Sequence, residues 1–146
     1  MGKVINTTTG NLQRYSKDTL KEIKSLVADI TTQIEIDATR DAPMSSGGTK
    51  FISIDKRFSD NGYTGEVGVM GENDLAAYFE FGTGLSAREI LAPYPQWIKD
   101  IAWKFFVTGQ GTLKGKPYLY PNVLKGIPVF QRELKTLTDK DIKDNG

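Results

Sequence analysis

The sequence predicts an α+β fold, on three observations. Apolar residues recur at helical spacing from about Leu12 to Asp41. Two alternating segments flank the tight-turn tripeptide Asp60-Asn61-Gly62, and helical patterns return after Pro95 and Pro121. At 146 residues the chain suits a single domain, 1–146, because a second independent core would be cramped.

Residues 1–11 are polar and Thr-rich, which suits a flexible N-terminal arm or an edge strand. In the next segment Leu20, Ile23, Val27, Ile30, Ile34 and Ala38 form one apolar stripe on a long helix, and Pro43 ends it. Residues 44–49 are small and Gly-rich and read as a loop. Phe51–Phe58 and Tyr63–Met70 alternate apolar and polar residues, so with the turn between them they predict an antiparallel hairpin.

Asn73 or Asp74 suits the cap of a short middle helix through Ala76, Ala77 and Tyr78, with Gly82 or Gly84 as its left-handed C-terminal residue. Pro95 suits the first turn of a further helix bearing Trp97, Ile98, Ile101, Ala102 and Phe105, closed by Gly109 and Gly111. Residues 112–120 read as a strand. Pro121 starts a C-terminal helix with Phe130, Leu134 and Leu137 on its core side. Gly126 and Pro128 predict a break or kink in it, and residues 139–146 read as a flexible charged tail.

The chain has no Cys and no His, which removes disulfides, thiolate nucleophiles and the commonest metal ligands. A formal charge of +1 implies no global attraction to nucleic acid or anionic lipid. No apolar run approaches a membrane span, and the N-terminus lacks the pattern of a secretion signal, so an intracellular origin is expected. No metal, cofactor or catalytic residue is predicted. Glu35, Asp37 and Asp41 lack the dense loop of a calcium site and suit a solvated helix face. The Gly82-Thr83-Gly84 and Gly109-Gln110-Gly111 turns lack a phosphate-binding fingerprint. Glu80, between Phe79 and Phe81, is a carboxylate in apolar surroundings, which suits a hydrogen-bonded or interface group better than a general acid without a partner.

Charge and aromatics are unevenly placed. Residues 58–91 carry Asp60, Glu66, Glu72, Asp74, Glu80 and Glu89 against Arg88, whereas 93–121 carry Lys99, Lys104, Lys114 and Lys116 against Asp100. Ten of the fifteen aromatics lie between Tyr78 and Tyr120, more than so small a domain can fully bury. Adjacent acidic and basic stretches suit head-to-tail docking of copies, or pairing within one subunit.

Three segments together resemble the small tail-completion (head–tail joining, minor tail component) proteins of long-tailed bacteriophages. Tyr78-Phe79-Glu80-Phe81-Gly82-Thr83-Gly84 resembles that family's aromatic–Glu–Phe–Gly–Thr signature. Pro117-Tyr118-Leu119-Tyr120-Pro121 is similar to its Pro–aromatic–Leu–x–Pro element, and Ala42-Pro43 followed by Gly47 to its turn after the first helix. Order and spacing match over residues 12–138. Gly48-Thr49-Lys50 stands where the family has Leu-Arg, so no role of that Arg is carried over, and the Trp-rich stretch Leu91–Val107 is found only in some members.

The resemblance implies a long N-terminal helix packed on a small antiparallel sheet, with a short middle helix and a C-terminal helix. It also implies a virion protein, assembled in the host bacterial cytoplasm, that forms a ring, commonly of six subunits. Its partners would be copies of itself, a head-side connector or head-completion protein, and a tail-tube or tail-terminator protein, with no membrane and no sequence-specific nucleic acid. The expected subunit contact joins Tyr78, Glu80, Phe81, Gly82 and Thr83 of one copy to Lys114, Lys116, Tyr118 and Tyr120 of the next. The rival readings are a nucleic-acid-binding module using the Trp/Lys segment and a small hydrolase with an oxygen-only site.

Overall fold

Ser16 opens the long first helix. Its backbone is extended, and its hydroxyl accepts the amide of Thr19 at 3.2 Å, satisfying one of the donors that a helix start leaves unpaired. In this computed structural model, which describes residues 2–6, 14–43, 48, 52–69, 74–108 and 114–145, helix α1 spans Lys17–Asp41. It begins later than the apolar spacing from Leu12 predicts, because the Ser16 cap fixes the boundary. It ends at Ala42, whose ψ of 144° is the extended value that a following proline imposes. Ile23, Val27, Ile34 and Ala38 are buried as the stripe predicts, and Thr19 and Thr31 are buried with them.

The sheet is antiparallel, in the order β1 (Gly2–Asn6), β3 (Thr64–Val69), β2 (Ile54–Ser59). Central β3 pairs Val67 with Lys3 on one side and Lys56 on the other. The predicted hairpin is present, with β2 starting at Ile54; Phe51 and Met70 lie outside the described residues. Asp60, Asn61 and Gly62 all take positive φ (51°, 57° and 92°), and the Thr64 hydroxyl donates to Asp60 at 2.6 Å. Short polar residues and glycine tolerate that conformation, so the tripeptide turns the chain without strain from a branched side chain. α1 lies on the sheet where β3 has no side chain: a Cβ on Gly65 would sit 1.9 Å from Thr31 Oγ1.

Two helices stand where one was expected. α2 (Asp74–Phe81) ends at Gly82, whose φ of 72° is the left-handed value predicted there. Extended Thr83 separates it from α3 (Gly84–Leu91), so Gly84 starts a helix instead of ending one. α4 (Gln96–Thr108) follows Pro95, whose carbonyl accepts the amides of Ile98 and Lys99. Ile98 and Ala102 are buried on its inner side. Its predicted closure at Gly109 and Gly111, the 44–47 and 49 portion of the predicted loop, and Asn73 lie outside the described residues.

α5 (Tyr120–Asn145) runs through Gly126 and Pro128 without the predicted break. Gly126 is where α5 and α1 approach: a Cβ there would meet Ile34 Cδ1 at 2.7 Å. Pro128 sits on the exposed side, where its ring needs no room in the packing. The expected flexible tail from 139 is the last turns of this helix, because Asp141 is buried against the start of α1. It accepts the Ser16 amide at 3.1 Å and the Thr19 hydroxyl at 2.7 Å. The architecture is α+β, with the long N-terminal helix packed on the small sheet and the C-terminal helix packed against it.

Candidate functional site

The two segments singled out in the sequence meet inside one chain. α2 presents Glu80 to the approach of α5, and the carboxylate accepts three successive backbone amides. Oε2 takes Tyr118 at 2.8 Å and Leu119 at 2.9 Å; Oε1 takes Tyr120 at 2.9 Å. Those amides lead into the N-terminus of α5, where the helix dipole also favours an anion. Burial pushes the Glu80 carboxyl above its usual range, and the three amide bonds oppose that push.

This contact explains why residues 114–120, the described part of the expected strand at 112–120, do not form a strand. Only Lys114 pairs in β fashion, with Gly82, and the Lys116 amide donates to the Phe79 carbonyl at 2.8 Å. Beyond it the amides turn to a carboxylate instead of a strand partner; residues 112–113 lie outside the described residues. Gly115 permits the approach, since a Cβ there would fall 2.3 Å from the Phe81 carbonyl carbon. Its amide donates to Ser86 Oγ at 3.0 Å, which ties the same strap to α3.

Around Glu80 the aromatics form a packed wall. The Phe81 and Tyr120 rings stack at 5.5 Å, and Trp97 meets Tyr120 edge-on at 5.9 Å. Burial, then the Glu80 charge, raises the hydroxyls of Tyr118 and Tyr120, and pushes Tyr94 up to about 12. The Tyr120 hydroxyl is buried with no hydrogen-bond partner among the described residues.

Six of the nine residues of the expected subunit contact lie inside the single chain. Glu80, Phe81, Gly82, Thr83, Tyr118 and Tyr120 are buried within the chain, with Glu80 bonded to the Tyr118 and Tyr120 amides and Phe81 stacked on Tyr120. Lys114 and Lys116 are exposed. The Tyr78 side chain lies outside the described residues. Three of the six groups in the acidic stretch are engaged within the chain: Glu66 pairs with Arg57, Asp60 accepts from Thr64, and Glu80 is buried, whereas Glu89 is exposed and Glu72 and the Asp74 side chain lie outside the described residues.

Asn122 and Asp41 are hydrogen-bonded neighbours that the sequence reading missed as a pair. Asn122 Nδ2 donates to the Tyr118 carbonyl at 2.7 Å and to Asp41 at 3.0 Å, tying the end of α1 to the same turn. Hydrogen bonds from Arg40, then Asn122, hold the Asp41 carboxyl below its usual range. Glu35, Asp37 and Asp41 do not converge: Glu35 meets Lys56, and Arg40 takes the two aspartates. Among the described residues no cluster of carboxylates is placed to hold a metal ion, and no helix is long and apolar enough to cross a membrane. Comparison of the chain with protein-family models, curated proteins and solved structures returns no match.

Proposed function

We propose that the chain is a structural assembly protein of a tailed bacteriophage virion, forming a ring at the head–tail junction. The observation that carries this reading is the Glu80 contact: two of the three segments that resemble the family, 78–84 and 117–121, are joined by three hydrogen bonds to one buried carboxylate. Such a unit makes a rigid shelf rather than a cleft, because both carboxylate oxygens are already committed to backbone amides. The shelf displays Lys114 and Lys116 on either side of the pinned Gly115. Two ammonium groups on a fixed strap suit an acidic face of a neighbouring copy, of a head-side connector or of a tail-tube protein.

A contact that relates unlike faces gives a ring when its rotation closes, which a tube junction requires. Mass photometry across a salt series, alone and with the connector, tests the proposal. A ring that dissociates in salt, and that Lys114→Glu with Lys116→Glu abolishes without loss of helix signal, is the expected result. A chain that stays monomeric in both settings sinks it.

A further inference from the structure

We infer that the outer edge of β2 pairs antiparallel with β2 of a second copy, so that the free protein forms a two-fold dimer through one continuous six-stranded sheet. β2 is an edge strand: β3 occupies one side, and among the described residues no strand pairs with the other. The Lys56 amide on this strand donates to Asp55 Oδ1 at 2.8 Å, a local contact that strand addition replaces, because an open sheet edge is a template for a further strand.

The occupant is argued from the strand's own sequence, Ile54-Asp55-Lys56-Arg57-Phe58. It is complementary to itself when reversed about Lys56. In an antiparallel pair centred there, Asp55 lies opposite Arg57 of the second copy and Ile54 opposite Phe58, each twice. The faces agree as well. Ile54 and Lys56 point to the α1 side, where Lys56 meets Glu35 at 3.2 Å, and Phe58 shares their parity. Asp55 and Arg57 point outward and are exposed, and Arg57 already pairs with Glu66 of its own chain, so the second copy's Asp55 completes a three-charge row. Phe58, 40% exposed, gains an apolar neighbour.

The central Lys56 pair places like charges face to face, and each is offset by its own Glu35. One short strand pair is a small interface, so the dimer forms at concentrations of about 100 µM rather than nanomolar. The two-fold contact closes at two copies and cannot itself build the ring, so its success or failure is independent of the virion reading.

The chain lacks cysteine, so Lys56→Cys places one thiol per copy, on the two-fold axis and within disulfide reach of its mate. Diamide oxidation should cross-link this variant at least about ten-fold faster than Ser59→Cys, whose two copies lie about 20 Å apart in this register. Sedimentation equilibrium supplies the second arm. Arg57→Asp should weaken dimerisation about ten-fold, and Asp55→Arg with Arg57→Asp should restore it, because the swap keeps opposite charges facing. Equal cross-linking at both positions, no cross-linking, or no rescue by the swap overturns the proposal. If Arg57→Asp unfolds, the cysteine arm decides alone. A ring that tolerates Arg57→Asp but not Lys114→Glu with Lys116→Glu would show the two contacts to be separate.

Discussion

Glu80 Oε1 lies 2.9 Å from the amide nitrogen of Tyr120, the first residue of α5. The carboxylate thus does for α5 what a capping side chain does from within a helix, but from 40 residues away. Removing it leaves three buried donors unpaired. Glu80→Ala is expected to cost about 3–5 kcal/mol, because each buried amide left without an acceptor costs about 1–3 kcal/mol and partial relaxation returns some of that. Glu80→Gln keeps the shape but turns an amide NH₂ toward a backbone N–H, and should cost about 1–3 kcal/mol. Urea denaturation of both variants checks this, and a Glu80→Gln variant as stable as the parent would show that the charge is dispensable.

The Tyr120 hydroxyl gives the opposite expectation at the same place. It is buried with no partner among the described residues, so it bears a desolvation cost without a hydrogen bond in return. Tyr120→Phe keeps the stacked ring against Phe81 and should leave stability unchanged or raise it by up to about 1 kcal/mol. A clear loss in a thermal or urea melt would place a hydrogen-bond partner for this hydroxyl outside the described residues.

Asp41 supplies a pH signature. Arg40 and Asn122 hold its carboxyl below the usual range, so the folded chain keeps the charge where the unfolded chain would take a proton. The resulting stability is fully present above the ordinary aspartate range and is lost as pH falls through the depressed folded value. Asp41→Asn should remove this part of the acid sensitivity. The measurement is the urea midpoint of parent and variant from neutral pH down to about pH 3. Convergence of the two curves toward acid supports the assignment; a gap that widens toward acid refutes it.

How much of this was legible in the sequence depended on whether a feature was local. The stripe of Ile23, Val27, Ile34 and Ala38 and the Asp60-Asn61-Gly62 turn announce themselves within a few residues, because period and turn chemistry are short-range signals. Glu80 stood out as a carboxylate among aromatics, but its partners are backbone amides 38 to 40 residues away, and no side-chain pattern encodes an amide. That is why the same residues read equally well as an intersubunit contact. The strand expected at 112–120 failed for the same reason. The break expected at Pro128 is absent because proline's local cost is outweighed by the packing of α5 on α1.

Two glycines should respond differently to one added methyl. At Gly115 the new Cβ meets backbone of Phe81 and Gly82 at 2.3–2.6 Å, which cannot move without breaking the Gly82–Lys114 bridge. Gly115→Ala should cost several kcal/mol, about 2–4, as overpacking against backbone does. At Gly126 the new Cβ meets the flexible end of Ile34, and alanine gains about 1 kcal/mol of helix propensity, so Gly126→Ala should lie within about 1 kcal/mol of the parent. Thermal melts of the pair check the order, and a reversed order would reject the close strap at residue 115.

The last turns of α5 carry a prediction that a flexible tail would not. Asp141 accepts the amide of Ser16 and the hydroxyl of Thr19, two groups at the start of α1, and is only 4% exposed. The two helices therefore fasten each other at this end: the cap of one is braced by a carboxylate of the other. Asp141→Ala leaves both donors without that acceptor in a buried setting and should cost about 1–3 kcal/mol. Asp141→Asn keeps one acceptor oxygen and should cost less. Hydrogen exchange locates the effect: the amides of the first turns of α1, around Leu20 and Ile23, should lose protection in Asp141→Ala while those near Ala38 keep theirs. Equal protection along α1 in parent and variant would mean that residues 139–145 add nothing to the fold.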